Sequence, residues 1–179
     1  MPYVITFLVL VGVLCLFNLV LCIGIIRRLR EGSDGAGQEL VPQVMRAPGE
    51  RVTRFSAVTT AGASVSEQML IGDPTLVAAF AQGCPECEEG LPLFAEYAAT
   101  FPGAPRRVVA VLVGDPDAMR DKVAMLEPVA HVVLEGKDGP VGSALGVRGY
   151  PAFGVLDDHA VVQASGIRIE YVTGIPVGS

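Results

Sequence analysis

Thr75-Leu-Val-Ala-Ala-Phe80-Ala-Gln-Gly-Cys84-Pro85-Glu86-Cys87 is the stretch of this chain that decides its architecture. Residues 75–80 (TLVAAF) are a short, continuous apolar run, as expected of a central strand covered on both faces. A helix-like segment over residues 85–100 opens directly after it. Outward from this pair, apolar strand-like runs alternate with helix-like segments, the pattern of an α/β sheet. Strands are expected at 52–59, 108–113, 131–134, 152–156 and 160–164, and helices at 117–126 and, weakly, at 141–145. Ala61-Gly62 marks a turn, Asp115-Pro116 caps the helix after it, and Asp157-Asp158-His159 has hairpin spacing.

The Cys84-Pro85-Glu86-Cys87 spacing puts two sulfurs within disulfide reach across one helical turn. Cys84 falls at the helix start, where unpaired N–H groups and the helix dipole stabilise a thiolate. A thiolate is the nucleophile of disulfide exchange, so Cys84 is expected to attack and Cys87 to resolve the mixed disulfide. The same spacing occurs in structural zinc sites, which need four ligands, and here His131 or His159 would have to join the cysteines. Glu86, Glu88 and Glu89 surround the pair with negative charge, which disfavours a thiolate and points to a reductant more than an oxidant. Arg106 and Arg107 read as a solvated edge before a strand, and Met119 and Met125 as core positions at helical spacing.

Two further segments lie outside this local logic. Pro92 follows Cys87 by five residues, and Gly146-Val147-Arg148-Gly149-Tyr150-Pro151-Ala152-Phe153 places a proline just ahead of a strand. With the strand–CxxC–helix order, they make residues 49–166 resemble the thioredoxin superfamily. The chain looks most like its membrane-anchored TlpA/ResA branch, with the MauD-like accessory thioredoxins a close variant. The resemblance implies a thioredoxin-like fold, a central mixed sheet flanked by helices. It also implies a kink at Pro92, a cis Tyr150–Pro151 bond beside the sulfurs, and client contact through Tyr150 and Pro151, with Pro85 and Glu86 on the same surface. The chain departs from the family pattern in three places. Gly83 stands where thioredoxins usually carry Trp. No acidic residue lies in 75–80, so Glu67 or Glu86 would have to move the proton. Only thirteen residues follow Gly166, so the closing helix is expected to be missing or vestigial and one sheet face under-covered.

Residues 4–26 run without a charge and are long enough to cross a bilayer core of about 30 Å, and Arg27, Arg28 and Arg30 follow at once. An uncleaved transmembrane anchor at residues 1–30 with its basic flank is therefore expected, followed by a Gly- and Pro-rich flexible tether at 31–49 and the folded domain at 50–179. The flanking arginines favour a cytoplasmic domain, whereas the resemblance favours the extracytoplasmic side of the cell membrane.

The formal net charge is −6. From Glu50 onward acidic residues outnumber basic ones sixteen to nine, which leaves no footprint for nucleic acid. The function expected is a membrane-anchored thiol-disulfide oxidoreductase without a bound cofactor. Its partners would be protein disulfide or dithiol clients, an upstream thiol electron donor, and lipid around residues 4–26. The alternatives are a non-catalytic copper or zinc module built on the CxxC, or a peroxiredoxin-like peroxidase.

Overall fold

The computed structural model of the chain describes residues 43–174, together with Phe7, Gly12 and Leu14 of the N-terminal stretch. The chain divides into two compact units, Met1–Leu40 and Val41–Ser179. In the first, the three described residues are helical. Among the described residues no helix is long and apolar enough to cross a membrane. The span expected at 4–26 otherwise lies outside them, as does all but the end of the expected tether.

The second unit is built on a five-stranded mixed sheet. In chain order its elements are β1 (Ser56–Val58), β2 (Ser64–Ser66), a 3-10 turn (Glu67–Leu70), β3 (Thr75–Ala81), α1 (Pro85–Thr100), β4 (Val108–Val113), α2 (Pro116–Leu126), β5 (His131–Glu135), α3 (Pro140–Leu145), β6 (Ala152–Leu156), β7 (Val162–Gly166) and the single turn α4 (Glu170–Thr173). The sheet order is β5-β4-β3-β6-β7, with β3, β4 and β5 parallel and β6 and β7 antiparallel to their neighbours. The apolar run at 75–80 therefore forms the central strand, buried throughout because both faces are covered.

Side chains of β3, β4 and β6 alternate between two cores. Leu76, Ala78, Phe80, Val108, Ala110, Leu112, Phe153 and Val155 face α1, α2 and α4. Val77, Ala79, Val109, Val111, Ala152 and Leu156 face α3 and the N-terminal segment. On the first side three aromatic rings, Phe80, Phe94 and Phe153, pack together with centroids 5.6 to 6.0 Å apart. Such rings contribute edge-to-face attraction beyond their buried area.

Several expectations are corrected. The strand foreseen at 52–59 shrinks to β1, which pairs only with β2 in a separate two-stranded sheet. The last strand begins at Val162, because Ala160 takes a positive φ of 59° in the turn. Residues 43–46 belong to the fold and not to a tether. The Val44 carbonyl accepts from Arg148 N–H at 2.7 Å, Arg46 Nε donates to the Ala144 carbonyl at 2.7 Å, and Met45 is buried over β6. Gly154 makes that crossing possible, since a Cβ there would sit 2.8 Å from Met45 Sδ.

The closing helix is only the single turn α4, whose Ile169 and Val172 pack on the α1 face, while this strap, α3 and the Phe55–Leu70 segment cover the other face. Arg107 is not a solvated edge. Its guanidinium bonds the Met69 carbonyl at 2.7 Å and Asp73 Oδ2 at 2.7 Å, tying the loop before β3 to the start of β4. Of the two methionines in α2, Met119 is buried and Met125 is exposed.

Candidate active site

Cys84 and Cys87 sit where β3 hands the chain to α1. Gln82 and Gly83 make the turn, Gly83 with a φ of 70° that favours glycine. Cys84 is the N-cap residue of α1, followed by Pro85 at a position where its missing N–H costs the helix nothing. The sulfurs are joined as a disulfide, with Cα atoms 5.2 Å apart. Their environments differ sharply. Cys84 is partly exposed and its Sγ accepts the Cys87 N–H at 3.2 Å, whereas Cys87 is 0% exposed and lies in the core with Leu91 and Phe94. A backbone donor aimed at Sγ stabilises negative charge on Cys84, while burial keeps the Cys87 sulfur away from solvent.

The carboxylate environment is less uniform than the sequence suggests. Glu86 Oε2 lies 3.9 Å from Cys84 Sγ. Glu88 instead pairs with Lys122 Nζ at 2.7 Å, which links α1 to α2 and neutralises one negative charge near the site. Glu67 accepts the Phe55 N–H at 3.3 Å and serves the small sheet.

Topology decides what joins the cysteines. The cysteines follow the C-terminal end of β3. Because β6 runs antiparallel to β3, with Ala152 opposite Ala79, the residues just before β6 reach that same end. Those residues are Tyr150 and Pro151, and the bond between them is cis. The Tyr150 hydroxyl has its pKa raised by burial first, and then by Glu135 and Asp138. Since β7 pairs antiparallel with β6, residues 167–170 arrive at this end too.

The two histidines go the other way. His131 opens β5 opposite Val109, and His159 lies in the β6–β7 turn bridged to Ile71, which precedes β3. Both occupy the far end of a sheet whose strands rise about 3.3 Å per residue, so neither can complete a zinc or copper site with the CxxC. No group of three or more His, Cys, Asp or Glu placed to hold a metal occurs among the described residues.

Beside the disulfide runs a groove of about 550 Å³, between Glu86, Glu89, Gly90 and Leu93 of α1 and residues 167–170, over Pro151 and Phe153. Of its lining, Glu86, Tyr150 and Pro151 are among the residues expected at the site, whereas Leu93 and Ile167 are not. The repeat 86, 89, 90, 93 along one helical face was the available signal. It pointed nowhere until the partner wall was known.

A search of curated proteins finds no match. Among solved structures, MTB dsbF in its mixed oxidized and reduced forms is similar at 28% identity and a TM-score of 0.50, covering 65% of this chain and 85% of that one. A secreted Mycobacterium tuberculosis disulfide oxidoreductase homologous to E. coli DsbE (23%, TM-score 0.54, 64% and 83%) and StoA from Bacillus subtilis (20%, 0.51, 67% and 90%) share the fold. Residues 48–167 match the AhpC/TSA family, two thirds of the chain. With its thioredoxin-like sheet and its CxxC pair at the head of α1, the chain belongs to the AhpC/TSA family and is a thioredoxin-like oxidoreductase.

Proposed function

We propose that the chain exchanges its Cys84/Cys87 dithiol with disulfides in protein clients, acting chiefly as a reductant. The observation that carries the exchange is the asymmetry of the pair, an accessible Cys84 sulfur with a backbone donor on it above a fully buried Cys87. The reductant direction is supported by the Glu86 carboxylate 3.9 Å from Cys84 Sγ, which disfavours the thiolate. In the reduced chain the Cys84 thiol gives its proton to Glu86 or water, and the thiolate attacks one sulfur of the client disulfide. The client S–S bond breaks, a Cys84–client disulfide forms, and the first client sulfur leaves as a thiolate that takes up a proton. Cys87, deprotonated in turn, attacks Cys84 Sγ, closes the intramolecular disulfide and releases the second client thiol. Two electrons and two protons pass to the client, and an upstream dithiol donor restores the reduced pair. Tyr150, Pro151, Pro85 and Glu86 form the surface around the reacting sulfur on which an extended client would lie.

The uncharged run at 4–26 supports a membrane anchor, and the reading places the domain at the membrane surface within reach of both donor and client. The arginines after that run support the cytoplasmic face, and likeness to secreted and membrane-anchored thioredoxins supports the opposite one. A membrane-impermeant maleimide, applied to intact cells after mild reduction, distinguishes them by whether Cys84 is labelled.

For the chemistry, the full chain is assayed for insulin-disulfide reduction with Cys84→Ser and Cys87→Ser variants. Cys84→Ser is expected to abolish turnover, and Cys87→Ser to accumulate client mixed disulfides on non-reducing gels. Equal trapping by both variants contradicts the assignment of attacker and resolver. Peroxidase activity that survives Cys87→Ser while disulfide reduction is undetectable in the parent would favour the peroxiredoxin-like alternative.

A further inference from the structure

Given client exchange at Cys84, we propose that the groove beside it selects client segments that carry a lysine or arginine next to an apolar residue near the reacting cysteine. The groove shares Glu86 with the disulfide's surroundings, its Oε2 lying 3.9 Å from Cys84 Sγ, and Pro151 lies at the same end of the sheet, so a client segment flanking the reacting cysteine is within reach of it. Its walls combine two chemistries. Leu93 is a large apolar side chain left 50% exposed in the middle of α1, and it lines the groove together with Ile167. An exposed leucine at that position gains from being covered by an apolar client side chain or by the methylene stem of a long cation.

The charges are unequal in their compensation. Arg168 is the one cation on the lining, and its Nε is engaged by Glu170 Oε2 at 3.4 Å. Among the described residues neither Glu86 nor Glu89 forms an ion pair, in contrast to Glu88, which turns away to Lys122. Two uncompensated carboxylates thus line one wall, three residues apart on the same helical face. A lysine or arginine stem laid across Leu93 brings its charged end to that wall, while an acidic client segment meets like charge. Both carboxylates are exposed, so each contributes modestly and is screened by salt. Selection works on encounter and seating more than on the sulfur chemistry itself.

Two synthetic peptides with the same intramolecular disulfide are the probes, one with Lys-Leu and one with Glu-Leu beside the attacked cysteine. Turnover by the reduced full chain is measured for each as kcat/KM. The lysine peptide is expected to be favoured by about 5-fold at low ionic strength, with the ratio falling toward unity in about 0.5 M salt. Glu89→Gln should flatten the preference and Glu89→Lys should invert it. Equal turnover of the two peptides, or a preference that Glu89→Lys leaves unmoved, overturns the charge selection while exchange itself stands. If the reduced chain turns over neither peptide, the exchange reading falls and this one with it.

Discussion

Replacing Gly90 by alanine should make the protein slightly more stable and a worse reductant of protein clients. In the interior of a helix alanine is favoured over glycine by about 1 kcal/mol. At Gly90 part of that gain is returned, because the added Cβ would lie 3.3 Å from Phe153 Cζ, 3.9 Å from its Cε2 and 4.0 Å from Pro151 Cγ. The Phe153 ring is wedged against Phe80 and Phe94, so yielding a few tenths of an ångström costs about 0.5 kcal/mol. Pro92 already deprives this stretch of one backbone donor, which limits what a stiffer residue can add. The net expectation is a gain of about 0.5 kcal/mol in urea unfolding.

The same methyl group stands between α1 and Pro151, on the floor of the groove. A client displaced there by a fraction of an ångström should lose about 10-fold in kcat/KM, whereas a small disulfide that needs only Cys84 should be affected less than about 2-fold. The assay is insulin reduction beside bis(2-hydroxyethyl) disulfide reduction on the same full-length preparation. Equal losses on both substrates would mean that the methyl disturbs the cysteine pair and not the groove. No loss on insulin would refute the role given to the groove, and a destabilisation above about 1 kcal/mol would refute the packing argument.

Two other outcomes probe the fold around the site. Met45→Ala removes a side chain buried over Gly154 and should cost about 2–5 kcal/mol in chemical denaturation; a cost below about 0.5 kcal/mol would return residues 43–46 to the tether. Burial, Glu135 and Asp138 raise the Tyr150 pKa in the folded state above 10.0, so the folded protein holds this proton more tightly than the unfolded chain. Its contribution is complete below pH 10.0 and is lost as pH rises through the folded value. Melting temperature should therefore drop above pH 10.0, and Tyr150→Phe should reduce the drop, with Tyr97, also raised by burial, supplying part of what remains. Identical alkaline profiles for parent and variant would show that Tyr150 is not set in this environment.

Much of the sheet and the placement of the cysteine pair at a helix start could be read from local patterns. The bounds of α1, β4 and β6 agree with the apolar runs and helix starts, because each signal is contained within one element and its cap. Cys84 and Cys87 announce themselves by spacing alone, since four consecutive residues at a helix start set their relative geometry. Pro151 was reached only through likeness to a family, as nothing in the residues around it predicts a cis bond.

The remaining features depend on residues far apart in sequence. Val44 to Arg46 read as a tether because three residues cannot show a period. Their burial requires the gap over Gly154 and the carbonyls of α3, about a hundred positions away. Arg107 looked solvated because its acceptors, the Met69 carbonyl and Asp73, come from a loop that only the β3–β4 pairing brings near. His131 and His159 stayed candidate ligands until strand direction put them at the far end of the sheet. The groove had no signature along the chain, since one wall is a helix face and the other follows the last strand. Composition and spacing determine the elements and the cysteine pair, but strand order and direction determine which residues stand around that pair, because those depend on which edges and faces of distant segments can be buried together.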